Sequence, residues 1–483
     1  MNRSVHSRIR SWLGIALLIA MLSALATGCG MFGEETDEQK PSPEASVIEK
    51  YSGPMSKVLP FVYTAKKELS LTFNGMSDDV TMDKLLDELD KYGITATFFL
   101  PGMRVAEEPD IAKKIIARGH EIENNTLNRL DMSKLDYGQV DKEIRLSNEI
   151  IERETGIVPR YVRTRSGDYT DDIRLAAAHN EMEAVVVYSL FLHNWQAESD
   201  QEKELYIRKY ITRGGIISID VEENSSLIED IAFAAKAAEE VGYSFIPLGQ
   251  LIADGGERKP LEQIEGYDAV RVNPDYENAK YNLIYNVVTD EKKIALTFDD
   301  WGTDYTVTKI LDTLARFNIK ATFFLRAKGT EGNPNLARAM IEEGHDVANH
   351  TYTHPVITTL TPEQLQKDVV KAHQVITEAI QQKPTMLFRP PTGEIDDKSA
   401  KIVSAIGFPN IALYDVTTFD WDASNSAKDI VNKVMEKTDK GSIILLHMLD
   451  DIHTVEALPT VIERLQKSGF TFVKMADLIG LQQ

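Results

Sequence analysis

The chain has 483 residues, room for two or three domains of ordinary size, and its 43% hydrophobic and 27% charged residues exclude a disordered polymer. The formal net charge of -22 argues against a nucleic-acid partner, since phosphate binding needs a basic face, and the acid is spread along the chain as a solubilising surface. The single cysteine, Cys29, excludes an intrachain disulfide.

Residues 1–28 read as an export signal. Arg3, Arg8 and Arg10 form a basic start, and Trp12 to Leu25 is apolar but too short to span a bilayer comfortably. The segment ends Leu25-Ala26-Thr27-Gly28-Cys29, which resembles a bacterial lipobox, with Ala26 where Leu is usual. That resemblance implies a lipid on Cys29 and an anchor on the outer face of a bacterial membrane, firm if several acyl chains are attached. An uncleaved anchor or a plain signal peptide is the alternative. Residues 29–59, with Glu34-Glu35-Thr36-Asp37-Glu38 and Pro41-Ser42-Pro43, are expected to be a solvated tether.

The rest is a duplication. Leu71-Thr72-Phe73 recurs as Leu296-Thr297-Phe298, Ala96–Leu100 as Ala321–Leu325, and Gly119-His120-Glu121 as Gly344-His345-Asp346, all at an offset of 225. Trp195 matches Trp421 at 226 and Gly242 matches Gly469 at 227, so the copies are collinear apart from small loop changes. Copy one is placed at 60–252, a linker with Gly255-Gly256 at 253–284, and copy two at 285–483.

In copy two, short apolar runs at Ile294–Phe298, Ala321–Leu325, His345–Ala348, Met386–Arg389, Pro409–Tyr414, Ser442–Leu446 and Thr471–Lys474 alternate with helical stretches such as Asp304–Phe317 and Val455–Lys467. A third, Thr361–Gln382, opens with Thr361 as N-cap and Pro362 in the first turn. Seven strands alternating with helices predict an α/β fold with a parallel sheet, closed into a partly open barrel.

Active groups of such folds sit just past the C-terminal ends of strands. Asp299 and Asp300 follow strand one, His350 and His354 strand three, Arg389 ends strand four, Asp420 and Trp421 follow strand five, and His447 follows strand six. Two histidines three residues apart with a carboxylate make a recurrent hydrolytic metal site with one position open. A surface histidine pair with a capping aspartate is the blander reading, and it leaves the rest of the rim unexplained.

Thr297-Phe298-Asp299-Asp300, His350-Thr351-Tyr352-Thr353-His354, Arg389-Pro390-Pro391, Asp420-Trp421 and Leu445-Leu446-His447 resemble, in order, the five motifs of the polysaccharide deacetylase (NodB-homology) family. The resemblance covers all of copy two. It implies two tandem distorted, partly open (β/α)7 barrels. It implies that Asp300, His350 and His354 hold a divalent ion, zinc above all and otherwise cobalt or nickel. Asp299 would be the general base, Arg389 its partner, His447 the general acid and Asp420 the group that orients it. A backbone N–H near Thr392 would hold the oxyanion, and Trp421 and Leu445 would wall the acetyl pocket. The implied partner is an N-acetylated glycan of the envelope, peptidoglycan being the nearest abundant one. Two positions depart from the family: Trp301 stands where Gly is common, either as a sugar-stacking platform or as loop packing, and Thr392 where Tyr is common.

Copy one keeps the frame without the groups. Asn74 and Gly75 replace Asp299 and Asp300, Asn125 and Arg129 replace the histidines, Asn194 replaces Asp420 and Asp220 replaces His447, while Arg163 and Trp195 persist. It is expected to be inactive and metal-free. Arg129 and Asp220 either pair as a substitute for the metal or have drifted independently, drift being the simpler reading. A non-catalytic glycan-binding protein and an O-acetyl or cyclic-imide hydrolase are competing readings of the whole. A glycosidase is disfavoured because it would not use the two histidines.

Overall fold

The described residues of this computed structural model are 48–481, apart from 194, 196, 197 and 223. The export signal, Cys29, the tether up to residue 47 and Asn194 therefore lie outside the described residues. No helix among the described residues is long and apolar enough to cross a membrane.

The first sheet is built from β1 (Lys57–Leu59), β2 (Glu68–Asn74), β3 (Thr97–Leu100), β4 (Glu121–Asn124), β5 (Tyr161–Val162), β6 (Ala184–Val186), β7 (Leu190–Leu192), β8 (Ile216–Asp220) and β9 (Ser244–Phe245). Their order is β1-β6-β5-β4-β3-β2-β8-β7, with β9 beside β2, and the ladders are parallel. Parallel neighbours need crossovers, which helices such as Asp79–Tyr92 and Tyr137–Thr155 supply. Helices on the outside and side chains on the inside bury both faces, so β2 is buried from Leu69 to its end without alternation.

The second sheet repeats the plan with β10 (Asn282–Ile284), β11 (Lys293–Asp300), β12 (Thr322–Leu325), β13 (Asp346–Asn349), β14 (Asn410–Ala412), β15 (Val416–Thr417), β16 (Ile443–His447) and β17 (Thr471–Val473). The order is β13-β12-β11-β16-β15, with β17 on β11 and β10 paired to β14. Single parallel bridges from Phe388 to Asn349 and to Ile411 join β13 to β14. The run Met386–Arg389 is thus one bridging residue rather than a strand. Pro384, Pro390 and Pro391 flank it, and proline neither donates to a ladder nor leaves φ free. The run from Pro409 to Tyr414 contributes only Asn410–Ala412. No ladder joins β10 to β15 among the described residues, which leaves the barrel open there, in keeping with the α/β class and partly open barrel read from the sequence; the strand count is eight rather than seven, since Met386–Arg389 is not a strand and β10 and β15 were not expected.

The duplication extends to detail. Phe73 and Phe98 stack at 4.9 Å, and Phe298 and Phe323 at 5.1 Å. Asp136 with Gln139, and Thr361 with Gln364, close capping boxes on the two equivalent long helices.

Two boundaries differ from the sequence reading. The end of the tether is docked: Ile48 and Tyr51 pack on the core of copy one, and β1 pairs with β6. The linker is docked as well. Val270 is buried in a copy-two cluster, Asn273 and Gln366 exchange hydrogen bonds at 3.0 and 2.7 Å, and β10 joins β14. A few apolar and aromatic residues in a polar stretch seat both segments. From Ile48 onward the chain forms one compact unit holding both sheets.

Candidate active site of copy two

Strand β11 ends in Asp299 and Asp300, and Asp299 stands opposite His447 in the register with β16. Alternation along a strand would send Asp300 to the other face. Its φ of 77° breaks that alternation, and both carboxylates line one cavity of about 440 Å³. His350, His354, Thr392, Trp421, Leu445 and His447 line the same cavity.

The two histidines leave β13 in a tight coil with Thr351 at φ 65° and His354 at φ 62°. Local bonds hold it: Thr351 N–H donates to Asn349 Oδ1 at 2.9 Å, and His354 N–H donates to Thr351 Oγ1 at 3.0 Å. His350 Nδ1 lies 2.8 Å from the Arg389 carbonyl, an acceptor only, so Nδ1 carries the hydrogen and Nε2 a free lone pair. Burial pushes its pKa down to about 3, which keeps the ring neutral, as a metal ligand must be. The ligand atoms of Asp300, His350 and His354 lie within 4.8 Å of one another, close enough for one ion to be reached by all three.

Arg389 is fully buried under this cluster. Its Nη1 donates to Asp299 Oδ1 at 2.7 Å and to Thr297 Oγ1 at 2.8 Å, and its plane lies 3.9 Å from the Phe324 ring centre. Burial raises the pKa of Asp299, while Arg389 and His447 act against that rise. Across the cavity, Asp420 Oδ1 accepts from His447 Nδ1 at 2.8 Å, and Oδ2 accepts from the His447 backbone N–H at 2.7 Å and from Thr454 Oγ1 at 2.6 Å. Burial opposes ionisation of both partners, yet these bonds outweigh it: the Asp420 pKa is lowered and the His447 pKa is raised. His447 therefore holds its Nδ1 hydrogen toward Asp420 and aims Nε2 at the site.

The wall contains two residues that sequence reasoning missed, Tyr414 and Gly393, and lacks one that it included. Tyr414 lines the cavity, and its hydroxyl lies 2.8 Å from where a side chain on Gly393, at φ 74°, would begin. The only signal for it was its place at the end of an expected strand. Trp301 does not line this cavity; it lines a separate one between the two copies, with its indole laid over Gly329. A Cβ at Gly329 would sit 2.2 Å from that ring, so the missing side chain draws the indole away from the metal rim. Thr392 is at φ 62°, next to Gly393, and lines the cavity.

Copy one preserves the backbone and fills it differently. Gly75, Thr126 and Arg129 adopt φ of 88°, 65° and 53°, as Asp300, Thr351 and His354 do in copy two. Asn125 Nδ2 donates to the Arg163 carbonyl at 2.8 Å, as His350 does to Arg389. Arg129 reaches Asp220 at 2.5 Å and Glu222 at 2.6 Å, so the two side chains pair rather than point apart. Its Nη1 lies 2.6 Å from where a Cβ on Gly75 would be, which places the guanidinium where copy two has its ligand cluster. No group of three metal-ligating side chains occurs in copy one among the described residues.

Residues 62–185 and 286–411 both match the family described as polysaccharide deacetylase. A peptidoglycan-N-acetylglucosamine deacetylase, PgdA, of Listeria monocytogenes is 35% identical over 191 residues, 39% of this chain and 39% of that protein. A peptidoglycan-N-acetylglucosamine deacetylase of Bacillus cereus is 34% identical over 201 residues, 41% of this chain and 92% of that protein. The solved peptidoglycan deacetylase PdaC of Bacillus subtilis is 32% identical and aligns with 40% of this chain and 93% of its own, at a TM-score of 0.36. The chain thus spans well under half of the Listeria relative's length and most of the Bacillus cereus one. With the family matched twice along its length, this chain is a member of the polysaccharide deacetylase family.

Proposed function

We propose that copy two removes N-acetyl groups from an N-acetylhexosamine polymer of the cell envelope, releasing acetate, and that copy one is catalytically silent. The observation that carries this is the facing pair of Asp299 and His447 on adjacent strands, beside three converging ligands in one cavity. A glycan-binding module has no use for a base opposite an acid. Peptidoglycan is the substrate named for the Listeria and Bacillus relatives, and it is the polymer proposed here. The proposed location is outside the cell membrane, held by a lipid on Cys29.

Asp300, His350 and His354 would hold the ion, and zinc is the ion that a two-histidine, one-carboxylate set suits. When bound, a divalent ion polarises the acetamide carbonyl and acidifies a water. The protein's own groups do the rest. Arg389 occupies Asp299 Oδ1, which leaves Oδ2 to take a proton from the attacking water. Ionised Asp299 is needed for that step, and a cation beside it favours ionisation. His447 Nε2 then gives its proton to the departing nitrogen, while Asp420 stabilises the charged ring through Nδ1. Each such proton transfer contributes a rate factor of about 10²–10⁴. Backbone N–H groups by Thr392 would face the oxyanion, and Leu445, Tyr414 and Trp421 would enclose the acetyl methyl.

The test is acetate release from peptidoglycan and from N-acetylglucosamine oligomers by chelated, zinc-restored and untreated protein. Release that is lost on chelation and returns with zinc supports the reading. Release from an O-acetylated glycan but from neither N-acetylated substrate would replace it with the esterase.

A further inference from the structure

Copy one has lost its chemistry but grips copy two at a defined point. Asp304 is the first residue of the helix Asp304–Arg316, four residues after Asp300. Its side chain is fully buried and is reached from copy one by three groups. Arg213 N–H and Nε donate to it at 3.2 and 3.4 Å, and the Tyr243 hydroxyl donates to it as well. Arg213 Nη2 also donates to Thr308 Oγ1 at 2.9 Å, one turn along the same helix. The equivalent residue of copy one, Asp79, is 60% exposed and paired only with a surface lysine, Lys114. The difference is that copy two meets a neighbour at this position.

The grip continues into the site. Thr303, the N-cap of the helix, donates through Oγ1 to Asp450 at 2.7 Å, and Thr306 does so at 2.5 Å. Asp450 lies three residues past His447. Between Asp300 and Thr303, Gly302 is pressed against the Met448 carbonyl so closely that a Cβ would lie 2.0 Å from it. One contact chain therefore runs from Arg213 and Tyr243 through Asp304 and Thr303 to Asp450, with the metal-ligand loop on one side and the His447 loop on the other.

We infer that copy one is a fixed scaffold for the copy-two site, and that Arg213, acting through Asp304, is a positioning residue for the turn that follows Asp299 and Asp300 at the end of β11. This rests on the proposed metal-dependent reading of that site, but it is tested by a property other than activity. Groups hydrogen-bonded to a metal's ligands typically change its affinity by about 10- to 100-fold when removed, and Arg213, which holds Asp304 rather than a ligand, is expected at the lower end of that range.

The experiment measures zinc affinity of the full chain by competition with a chelator, together with kcat and KM for acetate release, well below the unfolding temperature. Arg213→Ala is expected to weaken zinc binding by about tenfold or more and to lower kcat with little change in KM, and Arg213→Lys to recover part of both. Folded Arg213→Ala protein with wild-type zinc affinity would overturn the inference. If Arg213→Ala does not fold, Tyr243→Phe keeps the ring and removes one bond to the same carboxylate. An affinity drop of about fivefold is then expected, and none would overturn the inference. A wild type that binds zinc but releases no acetate would defeat the proposed function while the affinities still decide the scaffold.

Discussion

Replacing Asp420 with asparagine tests the proton path most sharply. Asp420 Oδ2 accepts from the His447 backbone N–H at 2.7 Å, and that N–H can only donate. The amide oxygen of asparagine must take that place, which turns its NH2 toward His447 Nδ1, now 2.8 Å from Oδ1. Two donors would then face each other unless Nδ1 gives up its hydrogen. The charged ring loses a charge-assisted hydrogen bond worth about 1.5–3 kcal/mol. At 1.36 kcal/mol per unit, the His447 pKa falls by about 1–2 units. In the wild type that pKa is raised, so His447 stays protonated to higher pH and the alkaline limb of kcat lies above the ordinary histidine range. The sign follows: a general acid works below its pKa, so Asp420→Asn moves the limb to lower pH. At pH 7 a fall of that size lowers the protonated fraction, and with it kcat, by up to about 10- to 100-fold. The assay is the initial rate of acetate release at saturating substrate across pH. A variant whose alkaline limb stays in place, or whose kcat falls less than about threefold, refutes the assignment of His447 as the acid.

Three further outcomes are expected. Zinc titration of metal-free protein should saturate at about one ion per chain and disappear in His350→Ala, because Arg129 already fills the equivalent place in copy one. Asn74→Asp should raise the unfolding temperature: buried Arg163, whose pKa burial pushes down to about 9, has only neutral acceptors, whereas Arg389 has Asp299. An unchanged or lower unfolding temperature would count against that comparison. Acid should destabilise the fold through His120 and His345, whose pKa values burial lowers from 6.5 to about 4 and about 3. Below pH 6.5 the unfolded chain binds protons that the native rings refuse, so stability falls as pH drops from 6.5 toward those values. The loss is about 2 kcal/mol per ring at pH 5, and His120→Asn should flatten the slope of unfolding free energy against pH.

Much of this was legible in the residues because the duplication aligns at a constant offset of 225 across the first three strands, with the chemistry at strand ends. Where reading failed, the cause was a contact made by residues distant in sequence. Trp301 was open between a sugar-stacking platform and loop packing, and Gly329, distant in sequence, decides for packing by giving the indole its seat. Arg129 and Asp220 are 91 positions apart, and only the preserved left-handed backbone at Arg129 brings them together. Tyr414 needed Gly393 beside it to mark the cavity wall. Asp304 looks like an ordinary helix-start aspartate, and its burial depends on how copy one docks, which no periodicity encodes. The docking of the linker was missed for the same reason: Val270, Tyr276 and Tyr281 are scattered through a polar stretch, and the cluster they pack on belongs to copy two.

The central claim is that copy two hydrolyses N-acetyl groups with Asp299 as its base. The direct measurement is acetate release from peptidoglycan by zinc-loaded protein beginning at Gly30, beside Asp299→Asn. The account predicts release by the wild type and a loss of at least about 10²-fold in the variant, with zinc binding retained. Equal release by both, or none by a zinc-loaded wild type on any N-acetylated glycan, would contradict it.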